Sequence, residues 1–335
     1  MSYAGEVFAR MCRDVIENGT DTKGEKVRPN WIEADGTKTP AYAIKKFGVV
    51  NRYDLRKEFP AVTFRKTPLK SCFDELLWIW QKKSNDIHAL NSHVWDEWAD
   101  ETGSIGAAYG YQQRLRHRYV DVDDEGIERA FPGVSKTRIS VDGGVLEAYV
   151  YDENHPAGES PYRTIAVKQG KFFLMTQFDK ALYDLVNAPF SRRTIVDMWN
   201  PEDQYLMHLT PCAYSVTFNV TKENDELVLN MILNQRSNDL LAAGNWNVCQ
   251  YALLLMSVAR HCGMTAGEFV HVIADAHVYD RHVEIVRELI ERERFPAPKV
   301  SLDPNVRNFY EIRTKHLIVE DYETGPQVKN IPIAV

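Results

Sequence analysis

The chain has 335 residues, 44% of them apolar, and a formal charge of -7. That much apolar content can bury one large core or two modest ones. The acidic balance excludes a general nucleic-acid or membrane-surface binder, which needs a basic face, so any positive patch must be local.

From the N-terminus, Glu6, Arg10 and Arg13 interrupt the apolar residues, and no run in the chain reaches membrane-spanning length. The five cysteines, Cys12, Cys72, Cys212, Cys249 and Cys262, are odd in number and lack a repeating spacing. A disulfide framework or a zinc site is therefore not expected, and the chain reads as reduced, soluble and cytoplasmic. Between Lys70 and Lys83, Phe73, Leu76, Leu77 and Trp80 recur at the i, i+3, i+4, i+7 spacing of one helical face, with Glu75 beside it. The acidic run Asp121-Val122-Asp123-Asp124-Glu125 precedes an expected hairpin, Thr137 to Val141 and Val145 to Tyr151 around Asp142-Gly143-Gly144, and Pro156 to Pro161 reads as surface loop.

After Cys212 the period becomes two: Tyr214, Val216, Phe218 and Val220 alternate with Ser215, Thr217 and Asn219. Thr221 to Glu226 is expected to turn and Leu227 to Leu233 to return, which puts Cys212 at the mouth of a hairpin. Tyr251, Leu254, Leu255 and Val258 predict a helix ended by Gly263, so Cys249 and Cys262 read as structural. The apolar run Phe269 to Ala274 predicts a buried strand, and the alternation that follows it sets Asp275, His277 and Tyr279 on one side.

The chemistry concentrates in Leu209-Thr210-Pro211-Cys212, Gln235-Arg236-Ser237-Asn238-Asp239 and Asn247. Only the thiolate of a cysteine attacks carbon, so a nucleophilic Cys212 needs a nearby positive charge, which Arg236 can supply. The planar guanidinium fork of Arg236 and the Ser237 hydroxyl read together as half of an anion cradle.

These segments resemble thymidylate synthase, in the family's order and over most of the chain. The resemblance rests on Val27-Arg28, Asp35-Gly36-Thr37, Asp74-Glu75-Leu76-Leu77-Trp78, Val94-Trp95-Asp96-Glu97-Trp98-Ala99-Asp100 and Ala108-Tyr109-Gly110. It continues through Ser191-Arg192-Arg193, Trp199-Asn200-Pro201, Thr210-Pro211-Cys212, Gln235-Arg236-Ser237, Asp275-Ala276-His277-Val278-Tyr279 and the terminal Ile333-Ala334-Val335. It implies an α+β fold, a mixed sheet flanked by helices, with sheets packed back to back in a homodimer. Residues 1–335 would form a single catalytic domain, with about 118–175 as an enlarged small subdomain.

The implied reaction is reductive methylation of dUMP to dTMP, with 5,10-methylenetetrahydrofolate as one-carbon and hydride donor and no metal. Cys212 falls on the nucleophile that adds to carbon six of the pyrimidine, and Glu75 on the general acid and base. Tyr109 falls on a water-ordering hydroxyl beside the cysteine. Arg28, Arg236 and Ser237 would hold the phosphate with Arg192 and Arg193 from the partner subunit. Asn247 would read the pyrimidine edge, since its N–H donates to uracil O4 and its carbonyl accepts from N3–H. His277 and Tyr279 match the pair that bonds the sugar hydroxyl. Trp95, Trp98 and Asp239 match folate-site positions, Trp246 stands where a phenyl normally faces the ligands, and Val335 matches the residue that closes over the folate.

The pattern departs from the family at Ala213, where His is usual, at Thr217, where Gln is usual, and at Ala242-Ala243-Gly244-Asn245-Trp246. Two rival readings follow. One is a pyrimidine nucleotide 5-hydroxymethylase on the same fold, in which water replaces the hydride. The other is a non-catalytic nucleotide- or RNA-binding homologue. Retention of Trp95 and Val335, which shield the intermediate from water, favours methylation, and retention of Cys212, Glu75 and Asn247 disfavours the silent homologue.

Overall fold

The computed structural model describes residues 1–139, 145–151 and 162–334. Its helices are α1 (Tyr3–Asn18), α2 (Leu69–Trp80), α3 (Gly110–Arg114), α4 (Asp124–Ala130), α5 (Gln177–Asn187), α6 (Gly244–Cys262) and α7 (Val283–Ile290). The first eight strands are β1 (Thr20–Asp21), β2 (Asn30–Ile32), β3 (Lys38–Pro40), β4 (Ala43–Asp54), β5 (Arg116–Tyr119), β6 (Ser135–Ile139), β7 (Val145–Tyr151) and β8 (Tyr162–Gln169). They are followed by β9 (Phe172–Thr176), β10 (Ile195–Asp197), β11 (Ala213–Glu223), β12 (Glu226–Gln235), β13 (Asn238–Asp239), β14 (Thr265–Tyr279), β15 (Lys299–Leu302) and β16 (Leu317–Glu320).

The α2 stripe forms as its period requires, and Phe73, Leu76, Leu77 and Trp80 are buried where α2 packs against α6. α6 ends at Gly263, whose φ of 67° is the left-handed conformation that glycine reaches without strain. Cys249 is buried in α6 and Cys262 partly buried at its end, and burial pushes the Cys262 thiol up to about 12.

The principal sheet is mixed, in the order β1-β4-β14-β12-β11-β10, with β13 also paired to β14. β12 and β14 run parallel, joined by the α6 crossover, while β4 pairs antiparallel on the other side of β14. The β11–β12 hairpin is longer than expected. Its turn is only Asn224-Asp225, both at positive φ (48° and 68°), which suits a two-residue primed turn and lets the strands run on to Glu223 and from Glu226. β14 is one continuous strand through Tyr279.

The 118–175 region contributes most of a second sheet, antiparallel in the order β5-β9-β8-β7-β6. The expected hairpin is present as β6 and β7, paired from Ser135↔Tyr149 to Ile139↔Val145, while Asp142-Gly143-Gly144 and Pro156 to Pro161 lie outside the described residues. The acidic run, to which the sequence assigned no element of its own, starts a helix: Asp123 caps α4 by accepting from the Gly126 N–H at 2.6 Å, and Asp124 and Glu125 sit in the first turn, where the helix dipole favours carboxylates. Ile127, Phe131, Ile165 and Phe173 join the same core as Trp80 and Phe178. No helix among the described residues is long and apolar enough to cross a membrane.

Candidate active site

Register brings the nucleophile and its cation together. Ala213 pairs with Gln235 across the hairpin, and the Arg236 N–H donates to the Cys212 carbonyl at 2.8 Å, so the residues flanking the two strands face each other. Arg236 folds back over the Thr210-Pro211-Cys212 corner. Its Nε donates to Pro211 O at 3.0 Å, and its Nη2 to Thr210 O at 2.8 Å and Thr210 Oγ1 at 2.9 Å, with Cys212 Sγ at 3.6 Å. The guanidinium also lies 5.7 Å from the Trp199 ring centre. Nη1 has no partner among the described residues and is the end available to an anion.

Burial raises the Cys212 pKa, while the Arg236 charge and the Tyr109 hydroxyl pull it back, and the net direction is upward. The resting sulfur is therefore a thiol. Tyr109 reaches it from the turn before α3: its hydroxyl accepts the Cys212 N–H at 2.9 Å, which leaves its own proton to give. Tyr109 sits at φ 45°, ψ -103°, a conformation costly for a residue with a Cβ. Gly110 follows because any Cβ there would stand 1.9 Å from the Ser84 carbonyl oxygen.

Glu75 projects from α2 into the same region and, at 6% exposed, is buried. Trp95 Nε1 donates to its Oε1 at 2.7 Å; Gln250 Nε2 donates to Oε2 at 2.9 Å, and the Trp246 indole N–H donates to Oε2 as well. Desolvation dominates and raises the Glu75 pKa, and the three neutral donors oppose it. Trp246 thus turns its polar edge to Glu75. Gln250 was not singled out in the sequence, although it stands four residues after Trp246 on one face of α6. Trp95 packs edge-on against Tyr109 at 5.0 Å and Trp98 at 5.8 Å, forming an aromatic wall beside the carboxylate.

At the far end of β14, His277 Nδ1 lies 3.0 Å from Asp275 Oδ1, and the His277 and Tyr279 rings meet at 5.0 Å, so the three alternating residues do share a side. Asp239 pairs with His277 in register. Its Oδ1 accepts from the Leu241 and Ala242 N–H groups at 3.0 and 3.1 Å, and His282 Nδ1 is 3.5 Å away, a charge contact rather than a well-formed hydrogen bond. Burial works to raise the Asp239 pKa, but His282 and His277 outweigh it and the net direction is downward.

Other expected site residues stay apart in the single chain. Arg28, Arg192 and Arg193 are exposed, and their side chains have no hydrogen-bond or ion-pair partner among the described residues. Ser237 is half-buried beside Arg236, and Val335 lies outside the described residues.

The departures also find places. Ala213 is a core residue, 3% exposed. Asn245 ties α6 to the 60–67 segment, accepting from the Val62 N–H at 3.0 Å and Thr67 Oγ1 at 2.7 Å and donating to Pro60 O at 3.1 Å. Thr217 pairs with Ile195 on one side and Ile232 on the other, two exposed residues, so it belongs to the open row of the sheet and not to the cluster around Glu75. Among the described residues, no group of three or more His, Cys, Asp or Glu side chains could hold a metal.

The thymidylate synthase profile matches residues 6–335. The chain is 31% identical over 331 residues to the thymidylate synthase of Bacillus licheniformis and to that of Bacillus phage phi3T, covering 98% of each pair of sequences. Its structure resembles the thermostable thymidylate synthase A of Bacillus subtilis with a TM-score of 0.75, at 30% identity over 99% of both chains. With the profile matched over residues 6–335, relatives 31% identical over 98% of the chain and a solved structure matched end to end, the chain belongs to the thymidylate synthase family.

Proposed function

We propose that this chain methylates dUMP to dTMP with 5,10-methylenetetrahydrofolate as co-substrate, through a covalent adduct of Cys212. The observation that carries this reading is the Cys212 sulfur 3.6 Å from the Arg236 guanidinium, with Tyr109 on its backbone and the buried Glu75 joined to Tyr109 through the Trp95 ring. In this reading Cys212 gives up its proton as its sulfur bonds to pyrimidine carbon six, and the electron pair moves through carbon five to O4, where hydrogen bonds stabilise the developing enolate. Glu75 moves protons on the O4 side; burial raises its pKa, the direction that helps a carboxyl act as an acid as well as a base.

Asn247 meets the pyrimidine edge, and His277 and Tyr279 take the sugar hydroxyl. The phosphate lies on Arg236, Ser237 and Arg28. The folate, which supplies the one-carbon unit and then the hydride, would rest on Trp95, Trp98 and Trp246. The fit is supported by aromatic edges crowded around one carboxylate and by Asp239 Oδ2, which has no partner among the described residues. When the methyl group is complete, the sulfur leaves carbon six and the products are dTMP and dihydrofolate.

The site is completed in this reading by a second copy of the chain, which brings Arg192 and Arg193 to the phosphate. Two observations support a homodimer: both arginines project without partners among the described residues, and the same face of the sheet carries exposed Ile195, Ile232 and Val50. Residues 118–175 are read as part of the same catalytic domain, because their apolar side chains share its core.

The test is incubation of the protein with dUMP and 5,10-methylenetetrahydrofolate, with the nucleotide weighed by mass spectrometry. dTMP with dihydrofolate is expected, whereas 5-hydroxymethyl-dUMP with tetrahydrofolate would make the chain a hydroxymethylase. Cys212→Ser should abolish turnover while still binding dUMP, and turnover retained in that variant would remove the nucleophile. Mixing Cys212→Ser with Arg193→Ala subunits should restore activity absent from either alone, and no restoration would overturn the shared site.

A further inference from the structure

A buried run of polar side chains stands behind Asn247. His271, on β14 and 1% exposed, has its Nε2 2.7 Å from Gln235 Oε1. Gln235 Nε2 lies 2.9 Å from the Ser237 carbonyl and 3.0 Å from Asn247 Oδ1, and Asn238 Nδ2 adds a longer contact, 3.3 Å, to Gln235 Oε1. The register that makes the run is the parallel pairing of β12 with β14, which sets Gln235 opposite Ile273, two residues from His271 on the same side of the strand.

The direction of each dipole follows from one fixed point. A backbone carbonyl only accepts, so the Gln235 atom facing Ser237 must be the nitrogen. The carboxamide oxygen then faces His271, whose Nε2 must carry the proton. Asn247 meets the Gln235 nitrogen with its oxygen, and its own Nδ2 is left without a partner among the described residues. Burial holds His271 neutral, with its pKa pressed down to about 3, and Phe269 stacks on its ring at 5.9 Å. A neutral imidazole has one N–H, and here that N–H is committed to Gln235.

We propose that His271 is a positioning residue for pyrimidine choice: by donating from Nε2 to Gln235 it locks the Asn247 amide with its NH2 toward the ligand, so that uracil is accepted and cytosine refused. Uracil presents the O4 acceptor to that NH2, whereas cytosine brings its own amino group to the same place and leaves two donors opposed. His271 touches neither nucleotide nor folate in this scheme. The inference rests on the reading above that Asn247 meets the pyrimidine edge.

Gln235→Glu is the sharpest probe. A carboxylate has no N–H to give, so Asn247 must turn its NH2 toward residue 235 and its carbonyl toward the ligand. Calorimetric dissociation constants for dUMP and dCMP on the intact enzyme should then show the preference for dUMP reduced about tenfold or more, from the loss of one buried hydrogen bond. His271→Phe should weaken discrimination in the same sense, raising KM for dUMP more than it lowers kcat, and His271→Gln, which restores an N–H donor, should recover it. Wild-type discrimination in both Gln235→Glu and His271→Phe would overturn the relay.

Should those variants fail to fold, long-range 1H–15N correlation spectra of the wild-type protein decide. A neutral Nε2–H ring at His271 supports the relay, and an Nδ1–H ring overturns it. Asn247→Asp separates the two layers of inference. If it alters the nucleotide ratio while the His271 and Gln235 variants do not, the relay alone falls; if it leaves the ratio unchanged, the reading of Asn247 falls and the relay with it.

Discussion

Replacing Trp246 by phenylalanine removes one atom group from the immediate surroundings of Glu75, the indole N–H that donates to Oε2. Oε2 is left with Gln250 at 2.9 Å and Oε1 with Trp95 at 2.7 Å. A hydrogen bond to a charged group contributes about 1.5–3 kcal/mol. All of that loss falls on the ionised form, because the donor favours carboxylate over carboxylic acid. Since one pH unit corresponds to about 1.4 kcal/mol, the ionisation of Glu75 should move upward by roughly one to two pH units. Desolvation already raises this carboxyl, so the substitution acts in the same direction as burial. The assay is the pH dependence of kcat/KM for dihydrofolate formation, which reports ionisations of the free enzyme. The limb that belongs to Glu75, identified by its loss in Glu75→Gln, should shift to alkaline pH in Trp246→Phe. A limb that stays in place or moves toward acid would refute the claim that the indole supports the carboxylate.

Three further outcomes follow from the structure. Lys83, whose pKa burial presses down to about 8, holds Asp179 at 2.7 Å with both groups buried, so Lys83→Met should cost about 3–5 kcal/mol in urea unfolding by stranding the carboxylate. A loss below about 1 kcal/mol would show that Thr176 and Tyr310 satisfy Asp179 unaided. Gly110→Ala must push a Cβ against the Ser84 carbonyl and thereby displace Tyr109, so it should destabilise by about 1–3 kcal/mol and lower kcat; unchanged stability and turnover would contradict the close approach. His282 is buried, which opposes its charge, yet Asp239 and the Pro332 carbonyl outweigh that and raise its pKa. Its charge-dependent stabilisation is therefore complete below about pH 6.5 and is lost as pH rises through the folded value. A neutral ring keeps one N–H and can serve only Asp239 or Pro332. Hydrogen exchange in the 326–334 tail should therefore lose protection as pH rises, beyond the intrinsic change in exchange rate. His282→Gln should abolish that dependence, and an unaltered pH response in the variant would refute the clasp.

The sequence by itself determined what is local or ordered along the chain. The α2 stripe, the helix stopped by Gly263, the alternation after Cys212 and the shared side of Asp275, His277 and Tyr279 are legible because a helix or strand repeats its contacts every few residues. The order of the motifs marked the family and singled out Cys212, Arg236, Glu75 and Asn247. Tertiary structure alone decided what those residues touch. Gln250 and Trp246 reach Glu75 only because α6 packs on α2, and His271 reaches Gln235 only because β14 returns parallel to β12 after the whole α6 crossover. No period within either segment records that meeting. The same holds for Thr217, whose place in the open row follows from its pairing with Ile195 and Ile232 beyond the register shift between Ala213 and Ser215. The acidic run before α4 was given no element from sequence, because carboxylates suit a loop and a helix N-terminus alike, and only the Asp123 cap distinguishes them. Residue types carry the chemistry, while long-range register and helix packing decide which donor meets which acceptor.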